Sequence, residues 1–254
     1  MVAMDILQSL FRWIHVVAGI LWIGLLYFFN FVNGPTAAVL DGETKKKVVP
    51  ELMPRALFWF RWGAAYTWFS GLFLLLLVFY HGGLLFESGL GIWNTTAILM
   101  VALTFLGTYV YDLLMKTPLT KNPKVTAGIF FVLIGGVICL MLDGAGFSYR
   151  ATNIHLGVMF GTTMAFNVWF RIWPAQQKII TAVKAGQAPD PAVVALAGLR
   201  SKHNVYLSIP LVWMMLNAHT TWAATSRLYL MGVIAIAWIG TTHLYKRAGK
   251  VKGF

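Results

Sequence analysis

The chain has 254 residues, 59% of them hydrophobic and 11% charged, with a formal net charge of +12 and a mean hydropathy of +0.72. A soluble domain carries roughly 25% charged residues, so this composition excludes a globule covered by water and specifies an integral membrane protein. Nucleic acid is not the partner implied by the positive charge, because most Lys and Arg stand in short stretches beside apolar runs, where they act as topology signals.

Apolar stretches of about twenty residues, the length that crosses a bilayer, fall at 6–30, 57–80, 92–115, 125–143, 153–173, 203–221 and 224–244. The first is long and lacks a small-residue cleavage site, so it reads as a retained helix and not as a signal peptide. Lys45, Lys46, Lys47 and Arg55 follow it, and Lys116, Lys121 and Lys124 follow the third stretch. Arg171, Lys178, Lys184, Arg200 and Lys202 follow the fifth; Lys246, Arg247, Lys250 and Lys252 follow the seventh. The loops after the second, fourth and sixth carry only Arg150 and Arg227. The positive-inside rule then places the N-terminus outside and the C-terminus in the cytoplasm, as an odd number of spans requires.

The longest connection, at about 174–202, begins with the amphipathic "PAQQKIITAVKAGQ", breaks at "PDP" and continues as a second short helical piece. It is expected on the membrane surface. The expected fold is an all-α polytopic transmembrane helical bundle of about seven spans, forming one integral membrane domain over 1–254.

Cys139 is the only cysteine, so disulfides, zinc clusters and covalently attached c-type haem are excluded within these residues. The histidines are more informative. With the spans directed, His15, His155 and His219 fall toward the outer face, and His203 and His243 toward the inner face. His81, beside "GG", reads as a surface residue. His203 and His219 are about 24 Å apart along an ideal helix and roughly 160° apart around it, so one helix would serve two separate sites.

Neutral imidazole ligates haem iron, copper and zinc alike. With no cysteine nearby and no carboxylate beside the outer group, haem b held between facing helices suits these positions best. Two haems at opposite faces would carry electrons across the bilayer, with His15, His155, His203, His219 and His243 as candidate iron ligands. Which outer histidines are axial is left open. Arg12, Arg61, Arg150, Arg171 and Arg227 stand where propionates can pair with them or where arginines snorkel to headgroups. Small residues in "AGILWIG" and "LGVMFGTTMA" make room for a macrocycle or for close helix contact.

The blocks "RWIHVVAGILWIGLLYFFNFVN", "WFRWGAAYTWFSGLFLLLLVFY", "HLGVMFGTTMAFNVWFRIWPAQQKIITAVKAGQAPDP" and "RSKHNVYLSIPLVWMMLNAH" resemble the membrane domain of bacterial membrane-bound urate oxidases. The resemblance covers nearly the whole chain. It implies residence in the bacterial inner membrane and oxidation of urate to 5-hydroxyisourate, with electrons passed to a cytochrome c. In that family the membrane domain is followed by a cytochrome c domain, which these residues do not contain, so a separate cytochrome c or other redox partner is expected, or a quinone. His15, His155, His203 and His219 lie inside the matching blocks, whereas His243, in "THLYKR", matches more loosely. Where the family's "WFKWEA"-like motif has an acidic residue, this chain has Gly63.

The expected function is thus a haem b membrane redox protein, either a urate-oxidase-like enzyme or an electron-transfer subunit. The alternative is a permease or anchor without redox chemistry, its polar path lined by Asn30, Asn33, Asn167 and Asn217.

Overall fold

The computed structural model describes residues 2–87, 92–220 and 222–252. Among these the fold is all-α; strand-like pairing is limited to an isolated bridge between Phe86 and Phe147. The α-helices are α1 (Val2–Tyr27), α2 (Gly34–Val39), α3 (Gly42–Leu74), α4 (Thr95–Leu114), α5 (Pro123–Cys139), α6 (Tyr149–Asn167), α7 (Trp173–Lys184), α8 (Pro191–Leu216) and α9 (Arg227–Ala248). π-helical turns continue four of them, at Phe28–Asn33, Leu75–His81, Leu140–Gly144 and Val168–Ile172. With these continuations, five helical stretches are long and apolar enough to cross a membrane, at Val2–Val39, Gly42–His81, Thr95–Leu114, Pro123–Gly144 and Arg227–Ala248. Their outward faces carry exposed Trp13, Ile20, Trp59, Phe69, Ile98, Val132 and Ile236. Apolar surface of this extent on spanning helices is a lipid-contact surface.

The helix ends follow local rules. The Asp41 carboxylate accepts from the Thr44 backbone N–H at 2.9 Å and from its hydroxyl at 2.6 Å, capping the start of α3. These bonds hold the Asp41 carboxyl below the usual carboxylate range. Asn94 caps α4 and Asn122 caps α5, each through its side-chain oxygen.

Two expected boundaries are corrected. The helix expected from 203 begins at Pro191, because proline at the first helical position starts a helix instead of breaking one. The "second short helical piece" is therefore the first part of α8. α8 then ends at Leu216, and a turn closed by Thr220 N–H on the Asn217 carbonyl follows. His219 lies in that turn, so the ideal-helix spacing between His203 and His219 does not apply over its last residues. The expected end of that span at 221 lies outside the described residues.

The chain forms two compact units. The first comprises Met1–Leu72, Met164–Ser208 and Trp238–Phe254; the second comprises Phe73–Thr163 and Ile209–Ala237.

In the first unit, α1 buries Ala18, Trp22 and Leu26, an i, i+4, i+8 stripe that falls on one helical face. Opposite it, α3 presents Gly63, Thr67 and Gly71, the same spacing in small residues. A Cβ on Gly63 would stand 3.3 Å from the Trp22 backbone nitrogen, and one on Gly19 would stand 3.8 Å from Thr67. The two helices approach closely because these positions are small. Phe29 meets Phe60 edge-on at 5.2 Å. Polar fastenings tie α1, α8 and α9 together: Tyr245 donates to Asn30 at 2.8 Å, and Asn30 donates to Ser201 at 2.8 Å. Tyr206 stacks on Tyr245, and its hydroxyl lies 2.9 Å from Thr242.

The second unit packs by filling. Leu75, Phe79, Met100, Ile138, Met141, Leu156, Phe160, Met214 and Ile234 are buried there. Methionines complete the fit, since a Cβ on Gly157 would meet Met215 at 2.6 Å and one on Gly135 would meet Met231 at 3.1 Å. Gly146, at φ +69°, adopts the left-handed conformation that glycine takes without strain. It delivers Phe147 to the bridge with Phe86, and Ser148 bonds back to the Leu84 and Leu85 carbonyls.

Candidate functional site

His15 and His155 receive the fullest local definition. His15, half-buried on α1, places Nδ1 2.9 Å from the Thr67 carbonyl of α3. A carbonyl only accepts, so Nδ1 carries the proton, and in the neutral ring Nε2 carries the lone pair. The Ser70 hydroxyl lies 3.3 Å from Nδ1, but is directed to the Tyr66 carbonyl at 2.5 Å. No side chain or backbone group among the described residues engages Nε2.

His155 is 0% exposed. Its Nδ1–H donates to the Ala151 carbonyl at 2.7 Å, which again leaves the lone pair on Nε2. Here the Tyr80 hydroxyl donates to that lone pair at 2.9 Å. Three rings enclose the imidazole, with centroids at 6.3 Å for Phe79, 5.7 Å for Tyr80 and 5.0 Å for Phe147.

The other histidines stand differently. His203 is half-buried on α8, while His243 lies exposed on α9. The α8–α9 contact runs through Tyr206, Thr242 and Tyr245, with the Lys202 ammonium 5.5 Å from the Tyr245 ring. His219 and His81 are exposed. His15, His203 and His243 belong to the first unit, and His81, His155 and His219 to the second.

A haem iron needs an imidazole with an open, fixed nitrogen, and His15 offers one. His155 would offer one only if Tyr80 withdrew its hydroxyl. Near His155, the Tyr149 hydroxyl, the Thr152 hydroxyl and the Asn153 carbonyl oxygen are buried without a hydrogen-bond partner among the described residues. Their i, i+3, i+4 spacing puts them on one face of α6, where they suit a polar guest or water. Among the described residues no three His, Cys, Asp or Glu side chains converge on one metal position.

Some polar residues serve packing. Arg61 lies over the Trp173 ring at 3.6 Å and over the Trp169 ring at 5.4 Å, so its guanidinium face is covered by indole. Arg227 pairs with Asp143. Asn167 donates to Asn204 at 2.9 Å, and Asn204 donates to the Met164 carbonyl at 3.0 Å. Asn33 donates to the Met53 sulfur at 3.7 Å. Three of the asparagines offered for a polar path, Asn30, Asn33 and Asn167, thus hold segments to one another.

Sequence reasoning missed Tyr80, Gly71 and Arg200. Arg200, counted as a loop charge, is 3% exposed and reaches Asn167 at 3.5 Å. Its place in the pattern was visible: it stands three residues before His203 on the same helical face. Gly63 is buried against α1, so a carboxylate there would press on the Trp22 backbone.

These features define an all-helical membrane protein with histidines held on its helices. A family model described as "Urate oxidase N-terminal" matches residues 1–250, and the chain belongs to that family. No curated protein and no solved structure gives a match.

Proposed function

We propose that this chain is a haem b membrane redox protein that passes electrons between a substrate or quinone and a separate cytochrome or other respiratory partner. The observation that carries the reading is His15, an imidazole fixed through Nδ1 on the Thr67 carbonyl with Nε2 open. Membership of the urate oxidase N-terminal family supports a redox setting. Bound haem supplies a one-electron iron couple. The chain's own part is to hold and orient it: the Thr67 carbonyl fixes the tautomer and ring plane of His15, and its hydrogen bond makes Nε2 a better donor to iron. His155, once Tyr80 withdraws its hydroxyl, and His203, with exposed His219 and His243, are the remaining candidate ligands. Urate is the substrate that the family suggests.

In this reading α1, α3, α4, α5, α6, α8 and α9 are the seven spans of a bacterial inner-membrane protein, N-terminus outside and C-terminus cytoplasmic. Loop charge supports that orientation. Reporter fusions after Lys47, Lys121 and Phe254 should read cytoplasmic, and fusions near Gly83 and Gly146 external. The decisive experiment is a reduced-minus-oxidised spectrum of purified protein. A b-type band with bound haem is expected; its absence from protein purified in haem-replete cells overturns the redox reading.

A further inference from the structure

We propose that Gly71, acting with the Thr67 carbonyl, is the positioning residue that would set His15 as a ligand to haem iron. The inference rests on the redox reading above and deepens it.

The geometry is specific. The carbonyl that receives His15 belongs to a residue one helical turn before Gly71, and the imidazole lies over the bare glycine Cα. A Cβ at position 71 would stand 2.8 Å from His15 Cε1 and 3.2 Å from Nδ1, closer than packed carbon atoms come. Any side chain at 71 therefore pushes the ring off the carbonyl. The rest of the contact leaves little slack, because a Cβ at Gly63, on the same face of α3, would stand only 3.3 Å from the Trp22 backbone nitrogen of α1. The ring cannot simply slide with its helix; it must rotate about its own side-chain bonds. Rotation breaks the Nδ1–H bond and redirects Nε2. Since a backbone carbonyl has no side chain to substitute, Gly71 is the position through which this hydrogen bond is controlled.

The packing part is tested without haem. Alanine is ordinarily a better helix former than glycine, so Gly71→Ala in an unconstrained site would raise the melting temperature in detergent. We expect it to fall, and we expect His15→Ala/Gly71→Ala to recover the loss, because the double variant removes the clashing ring. Additive effects overturn the geometry.

The ligand part is read by spectroscopy. Gly71→Ala should lose low-spin b-type haem or shift its midpoint potential relative to wild type. Should Gly71→Ala fail to fold, His15→Gly and His15→Gly/Gly71→Ala replace it, with added imidazole as the probe. Imidazole should restore the low-spin signal in the first and not in the second, where the added methyl group occupies the ring's seat. Equal restoration, or a Gly71→Ala spectrum identical to wild type, overturns the positioning role alone. A wild-type protein without a b-type band overturns the redox reading and the role given to Gly71 together.

Discussion

His15 and His155 begin alike. Each donates Nδ1–H to a helix carbonyl, which in the neutral ring leaves the lone pair on Nε2. They differ in how their surroundings hold them. The first unit holds His15 by clearance: Gly63 and Gly71 leave out side chains so that a ring and a helix can come close. The second unit holds His155 by filling: Phe79, Tyr80 and Phe147 surround the ring, and a hydroxyl caps its nitrogen. The same residue in the same tautomer is thus left open in one setting and closed in the other, by the volume around it and by one hydroxyl.

That contrast sets the direction in which each setting breaks. The largest effect is expected from removing volume in the second unit. Phe147→Ala takes away the ring nearest His155 and should cost about 3–5 kcal/mol, seen as a marked fall in melting temperature in detergent. A loss below about 1 kcal/mol would show that the enclosure is loose.

Tyr80→Phe keeps the volume and removes only the hydroxyl. The buried Nε2 then lacks its donor, at a cost of about 1–3 kcal/mol, and it also becomes available to exogenous ligands. Titrating purified Tyr80→Phe with a zinc or haem probe reads this; binding unchanged from wild type would mean that the hydroxyl does not close the nitrogen.

The smallest effect is expected at Gly63→Ala. The added Cβ must displace the Trp22 backbone by a few tenths of an ångström, while alanine regains about 1 kcal/mol of helix preference. The net change in stability should lie within about 1 kcal/mol of zero. A Gly63→Glu variant, by contrast, forces a charge and several more heavy atoms into the same seam and should fail by about 3 kcal/mol or more. Melting curves of the two side by side decide whether the seam is as tight as its distances imply.

Much of this fold was legible in the sequence because bilayer length and hydropathy act residue by residue. The stretches that became α1, α3, α4, α5 and α9 declared themselves in that way. The start of α8 did not, since "PDP" signals a break and a helix start with the same residues, and only packing of Ala197 and Val205 into a core chooses between them. Its end was hidden for a related reason: "LNAH" is apolar enough to continue, and the stop comes from a turn. At the site, His15 and His155 were legible as candidates, but their difference was not. Tyr80 is 75 positions from His155, and no periodicity links them. Gly71 read as one small residue among many, because clearance has no signature until the ring that uses it is in place. Arg200 was counted with the loop charges by composition, although burial makes it part of the interior.

The π-helical turns carry a consequence for ancestry. Such a turn holds one residue more than an α-helical turn needs, so the segment beyond it is rotated by about 100° from the phase set before it. At Val168–Ile172 this falls between α6 and α7, in a turn that buries Val168 and Ile172. A relative that lacks the extra residue there is expected to carry an ordinary α-turn in its place and a one-position gap in an alignment. Each of the four π turns among the described residues is therefore a point at which a helix can gain or lose a single residue without being unthreaded.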